Sequence, residues 1–213
     1  MVRAFLIRVG MDSVCGGFVS PIFRDDKRTH DSYVFLPIPN TGREGDTSSK
    51  ELKRYSESRT NSNLPLTDFL PKDKLEVKKQ PLSEPQKIPV HNDPEFATMT
   101  YGGNKQKKVI YNNVKDFSKG DYIVFYAAFF RLPDPDFRYN IYNLSQLQKL
   151  QKKNKEYHII AFLELKYPPI YRSNYKDYID EIGHNAHYLR GDFERHDDSF
   201  ILKGTSNSGW TEQ

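Results

Sequence analysis

The segment His91-Asn92-Asp93-Pro94-Glu95-Phe96-Ala97-Thr98-Met99-Thr100-Tyr101-Gly102 gathers one imidazole, two carboxylates, two hydroxyls and a phenol. Carboxylates in that company can bind a metal, act as acid and base, or accept hydrogen bonds from a base edge. Asp-Pro is equally an ordinary turn starter. A second segment, Gly183-His184-Asn185-Ala186-His187-Tyr188, sets two histidines three residues apart. That spacing permits metal ligation with a carboxylate as third ligand. It lacks the His-Glu-x-x-His pattern of zincins, and packing histidines fit it as well, so no metal and no cofactor is assigned. If the chain is an enzyme, His184 or His187 is the general base, with Asp12, Asp93 or Glu95 as partners or metal ligands. Asn185 suits pairing with an adenine-like edge. A third segment, Arg8-Val9-Gly10-Met11-Asp12-Ser13-Val14-Cys15-Gly16-Gly17, runs from a strand into a glycine-bearing turn where backbone amides can approach a ligand. Asp12 adds an acceptor and Ser13 a donor. The turn is no Walker loop, because no Gly-Lys-Ser/Thr follows. Cys15 has no adjacent base and reads as an incidental thiol.

The elements that must position these residues are mostly strands. Residues 2–9, 33–38, 109–111, 122–130, 158–165 and 199–203 are rich in β-branched and aromatic residues and bounded by Gly, Pro, Asn or Asp. Residues 122–130 (YIVFYAAFF) form the most apolar run and are expected to be a central strand. Two helices are predicted. One carries Leu144, Leu147 and Leu150, with Asn143 or Ser145 as N-cap. The other spans 171–182, with Tyr171, Tyr175, Tyr178 and Ile182 on one face. Residues 41–90 are polar and proline-rich, a composition that cannot bury a core of its own. They are expected to wrap the domain as an irregular excursion anchored by Leu64, Leu66, Phe69 and Leu70. Strands outnumber helices and do not alternate with them, so an α+β fold with a mainly antiparallel, barrel-like sheet and peripheral helices is expected within one domain, 1–213.

The chain has 213 residues, 32 Lys+Arg and 28 Asp+Glu, a formal charge of +4. That is mild, but its distribution is uneven. Lys105, Lys107, Lys108, Lys115 and Lys119 face one acid, Asp116, between Asn104 and Gly120. This run is either a solvated face or a phosphate-binding one, with Lys105, Lys107 and Lys108 on a nucleic-acid backbone. No apolar run approaches the roughly 18–20 residues of a membrane helix. A single cysteine excludes an internal disulfide framework, and a reducing, cytoplasmic setting without a membrane partner is expected. Oligomeric state is not legible. With 14 Tyr and 14 Phe, stacking platforms are available, and Tyr101, Tyr126 and Tyr188 are the ones near polar segments.

Taken together, RVGMDSVCGG, HNDPEFATMTYGG and GHNAHY resemble the nucleotide modification associated domain 3 family, in order and over nearly the whole chain. DPEF-x-T-x-TYG is the specific part. The resemblance implies a link to DNA or nucleotide modification, often in phage and prokaryotic defence. It maps the family's site onto Asp12, Ser13, Gly17, Asp93, Glu95, Thr100, Tyr101, His184, Asn185 and His187. A weaker resemblance, Lys119-Gly120-Asp121 before an apolar strand and then HIIAFLE, is to PUA-like barrels, including EVE and ASCH domains. It implies a pocket for RNA or a flipped, modified base. The expected function is therefore binding of a nucleotide or nucleic acid, with a modified base in a polar-aromatic pocket. A base-modifying enzyme using a His/Asp/Glu site and a non-catalytic defence-complex subunit are the alternatives.

Overall fold

The strand Tyr122–Leu132 organises the molecule. Its first half alternates, with Ile123, Phe125 and Ala127 buried and Tyr122, Val124 and Tyr126 half-exposed, the pattern of a sheet covered on one face. From Ala127 to Phe130 every residue is buried. One edge pairs antiparallel with Lys155–Glu164, from Tyr122 opposite Glu164 to Phe130 opposite Lys155, with a register shift after Phe125. The other edge is shared by two strands, both parallel to it. Ala4–Arg8 lies beside Tyr122–Tyr126, and Ser20–Arg24 beside Phe129–Leu132. Asp31–Tyr33 and Gly209–Trp210 extend the sheet at its two sides.

The computed structural model describes residues 1–12, 15–24, 31–40, 52–60, 63–104, 107–132, 138–151, 155–189, 191 and 196–211. Three smaller sheets accompany the main one. Thr100–Asn104 and Ile170–Tyr171 flank Ser199–Lys203. Cys15–Gly16 joins the hairpin Lys74–Val77 and Gln80–Ser83. Ile38–Pro39 pairs with Val90–His91. All pairs except the two parallel ones on the long strand are antiparallel. The fold is mixed α/β, mostly antiparallel, with few helices. Among the described residues no sheet closes into a barrel; the main sheet keeps an open strand order. No described helix is long and apolar enough to cross a membrane.

Several local expectations change. Residues 109–111 are read as strand but lie in the helix Lys108–Val114. Its β-branched residues favour a strand, yet Ile110 and Val114, four apart, both pack into the main core, which a helix permits and a short strand would not. Over 33–38 the strand stops at Tyr33 and resumes at Ile38. Over 171–182 the helix is broken into a 3-10 turn, Tyr175–Tyr178, and the short helix Ile179–Ile182. The helix Leu144–Gln151 is capped by Asn143, whose Oδ1 accepts the Gln146 amide at 2.9 Å while Gln146 Oε1 accepts the Asn143 amide at 2.9 Å. In the polar excursion Leu66, Phe69, Leu70 and Leu75 are buried against Met11, Phe18 and Leu36, while Leu64 is exposed. Tyr55 is buried too, and its hydroxyl donates to the Pro37 carbonyl at 2.6 Å.

The parallel pairing of the first strand is clamped at its start. The Arg3 amide donates to Asp121 Oδ1 at 2.9 Å, and the guanidinium donates to Oδ2 at 2.6 and 3.0 Å. The Ser118 amide donates to the same oxygen at 2.8 Å, closing the turn that Gly120 enters with φ +86°. Burial alone would raise the Asp121 carboxyl, but the Arg3 and Ser118 hydrogen bonds and the Arg3 charge bring it down from 3.8 to about 2. A depressed carboxylate contributes stability above its unfolded pKa and loses it as pH falls through the folded one. Asp121→Asn should therefore lower Tm at neutral pH and flatten the acid limb of a thermal-stability profile between pH 3.8 and about 2. An unchanged acid limb would place the loss elsewhere.

Candidate functional site

Alternation along Val90–Asp93 sends neighbouring residues to opposite sides of one segment. Val90 and Asn92 line a cleft, while His91 and Asp93 turn away from it and are buried. Beyond Asp93 the chain makes a tight hairpin in which Glu95 and Thr100 exchange backbone hydrogen bonds of 2.8 and 2.9 Å. The Glu95 carboxylate accepts the Ala97 amide at 3.0 Å, the Thr98 amide at 2.7 Å and the Thr98 hydroxyl. Glu95 thus holds its own loop, in which Met99 takes a left-handed φ of +51°.

Asp93 is the centre of a buried cluster. Its Oδ1 accepts the Gly102 amide at 2.7 Å. Its Oδ2 lies 3.2 Å from His187 Nε2 and 3.8 Å from His91 Nε2. The two imidazoles meet edge to face, with ring centroids 5.0 Å apart. Burial alone would raise the Asp93 carboxyl. The His187 hydrogen bond and the charges of His187, His91 and Lys107 outweigh it and hold the carboxyl below its usual range. Asn185, fully buried, fixes the end of His187: its Oδ1 accepts the His187 amide at 2.9 Å, and its Nδ2 donates to Thr100 Oγ1 at 3.0 Å. Thr100 and Thr98 hydroxyls are 3.2 Å apart, so hydrogen bonds run from His187 to Glu95 on the cleft wall.

The cleft on the other side has a volume of about 720 Å³, within the roughly 300–1,000 Å³ of small-molecule sites. One wall is aromatic. Trp210 lies 4.0 Å from Phe96 and 5.8 Å from Phe35, centroid to centroid. Asn92, Thr98 and His184 contribute polar groups, and Lys53 and Arg59 contribute cations.

The residues expected to form the site divide between these two places. Asp93, Thr100, Asn185 and His187 come together in the buried cluster, joined by His91. Glu95 and His184 line the cleft. His184 is exposed and does not share a ligand set with His187. Tyr101 is buried in the main core beside Phe125, and burial, with the Asp93 charge, pushes its phenol well up. Asp12 closes its own turn: Oδ1 accepts the Cys15 amide at 2.7 Å, and its carbonyl accepts the Gly17 amide at 2.9 Å. Gly17 has φ +90°, and a Cβ there would come within 3.1 Å of Glu76. The Cys15 thiol is pushed up by burial and by Asp12, against the pull of Lys78 and Lys107. Lys107 makes a minor contribution that lowers both this thiol and the Asp93 carboxyl. It is exposed, with its ammonium 5.5 Å from the Tyr101 ring centroid; Lys108 is exposed at the helix start. Ser13 and Lys105 lie outside the described residues. Tyr126 and Tyr188 are half-buried against Tyr157 and Tyr175.

Sequence reasoning placed His91 in a candidate segment without giving it a site role, and it passed over Trp210, Lys53 and Arg59. His91 was visible at two residues from Asp93. Lys53 and Arg59 were hidden in a stretch whose composition reads as solvated surface.

A mixed α/β chain with a polar cluster built on the DPEF-x-T-x-TYG segment and an aromatic cleft beside it is what these observations define. The chain belongs to the nucleotide modification associated domain 3 family, whose model matches residues 3–212. No curated protein and no solved structure matches the chain. Membership links the protein to nucleotide modification in general.

Gly102 leaves the room that seats His187: a Cβ at this position would stand 2.4 Å from His187 Cδ2 and 2.8 Å from Asn185 Oδ1. Gly102→Ala should cost about 1–3 kcal/mol by overpacking. It should also separate His187 from Asp93, read as a change in the His187 ring chemical shifts by NMR at fixed pH. Unchanged ring signals would show that the neighbouring helix shifts to absorb the methyl group.

Proposed function

We propose that the protein binds a nucleotide, or one nucleotide of a nucleic acid, in the cleft, with a modified base against the aromatic wall. The observation that carries this reading is the pairing of that wall, formed by Phe35, Phe96 and Trp210, with the cations Lys53 and Arg59 in one cavity. Aromatic faces stack bases, by roughly 1–3 kcal/mol per base, and cations meet phosphates. Asn92 is exposed in the cleft and offers an amide to a base edge, the role expected of Asn185. Asn185 itself is committed to Thr100 and His187. Glu95 serves by holding the loop that carries Phe96 and Thr98.

Trp210 is the chain's single tryptophan, so its fluorescence reports directly on the cleft. Titration with nucleotides and with single-stranded oligonucleotides, plain and base-modified, should change that signal saturably. The double variant Lys53→Ala/Arg59→Ala should bind at least ~10-fold more weakly and with a shallower salt dependence, its Tm nearly unchanged, because both side chains are exposed. Equal affinity of variant and wild type would sink the reading.

A second reading, a nucleotide- or base-modifying enzyme, is favoured by the Asp93–His187 pair and the hydrogen bonds that connect it to Glu95. His187 would then take a proton while Asp93 orients and stabilises its imidazolium. A change in ligand mass during incubation, lost in His187→Gln, distinguishes it from binding alone.

A further inference from the structure

We propose that His91, Asp93 and His187 form a binding site for a divalent first-row transition metal ion, of the zinc class, with two imidazole nitrogens and one carboxylate oxygen as ligands. The inference does not rest on the nucleotide reading, because the cluster lies on the opposite side of the segment from the cleft.

The donor geometry is the first support. One ligand atom from each residue can be chosen so that all three lie within 4.8 Å of one another. Asp93 Oδ2 is 3.2 Å from His187 Nε2 and 3.8 Å from His91 Nε2. Around a tetrahedral ion with arms of about 2.0–2.1 Å, neighbouring donors lie roughly 3.3 Å apart. Both carboxylate–imidazole distances are within about half an ångström of that value, and the two imidazole nitrogens, within 4.8 Å of each other, draw together to close the site.

The supporting shell is the second. Asp93 Oδ1 is held by the Gly102 amide, which leaves Oδ2 facing both imidazoles. His187 is fixed from behind by Asn185, which accepts its backbone amide and is itself tied to Thr100. Groups that orient metal ligands in this way are part of what makes a site bind. All three ligands are buried, so their rotamers are set by packing. The donor set, two imidazoles and one carboxylate, suits zinc and the neighbouring transition ions and is poor for calcium or magnesium. Three protein donors leave a fourth position for water or a substrate oxygen, the pattern of catalytic zinc. On binding, the ion takes Nε2 of His187 as a neutral ligand: a hydrogen on Nε2 moves to Nδ1 in the neutral imidazole, or leaves to solvent from the imidazolium. Lys107 opposes the cation, but it is exposed and its field is screened.

The test uses the full chain, stripped with a chelator, dialysed, and titrated with Zn²⁺ alone and Co²⁺ alone. The expected result is one ion per chain, a rise in Tm, and visible Co²⁺ bands of a low-symmetry four- or five-coordinate site. Asp93→Asn keeps an acceptor for the Gly102 amide and removes the anionic donor, so it should bind Zn²⁺ at least ~100-fold more weakly. X-ray absorption on zinc-loaded wild-type protein should count two imidazoles. The proposal is overturned by no saturable Zn²⁺ binding into the millimolar range, or by wild-type affinity in Asp93→Asn. A zinc shell with fewer than two imidazoles overturns it even if that variant does not fold.

Discussion

A buried carboxylate must be compensated, and the compensation of Asp93 dictates much of what surrounds it. An isolated charge taken out of water is costly enough that a carboxyl would give up its ionisation instead. Here the Gly102 amide and two imidazoles keep it ionised, Lys107 adding little. Each partner imposes a demand of its own. The Gly102 amide fixes the strand Thr100–Asn104 relative to residues 91–93. His187 must approach that strand closely enough that only a glycine fits beneath it. His91 must alternate inward from a strand pinned by Ile38–Pro39. One charge thereby ties the segment from His91 to Gly102 to His187, 94 positions beyond Asp93.

The same constraint explains why cleft and cluster are neighbours without being one site. Strand alternation forces Val90 and Asn92 to the side opposite His91 and Asp93, and the short helix Ala186–Leu189 repeats the division, with Ala186 and Leu189 on the cleft and His187 inward. Hydroxyls and amides of Thr98, Thr100 and Asn185 bridge the wall between them. A displacement of the His187 backbone is therefore positioned to reach the loop Glu95–Thr100 through hydrogen bonds.

What the sequence shows of this follows from which signals are local. The central strand, the strand Ser199–Lys203 and the turn before Asp121 are local patterns that stand where composition puts them; the helix from Leu144 does too, but Leu150, expected on its apolar face, is exposed and Gln151 takes the buried place. Lys155–Tyr157 continues a strand read as beginning at His158, because Lys155 and Glu156 look like loop residues and are held by pairing with Phe130 and Phe129. Lys108–Val114 is helical because packing of Ile110 and Val114 overrides β-branched propensity. The site was half legible. DPEF-x-T-x-TYG and GHNAHY name its residues, but nothing local says that His187 would meet His91 rather than His184, or that a polar excursion would bury Tyr55 and present Lys53 and Arg59 to an aromatic cleft. Those pairings are tertiary.

The edge of the long strand shared by two parallel partners has a consequence in time. Arg3 and Asp121, the clamp on that edge, are 118 positions apart. A chain synthesised at about 5–20 residues per second holds its first strands without their partner for of the order of 10 s. During that interval Ile7 and Ile22, both buried in the finished protein, have no sheet to enter. Such non-local pairing is also intrinsically slow to form. The strands around Ile7 and Ile22 are thus open to chaperones and to aggregation while the protein is being made, although both side chains end buried.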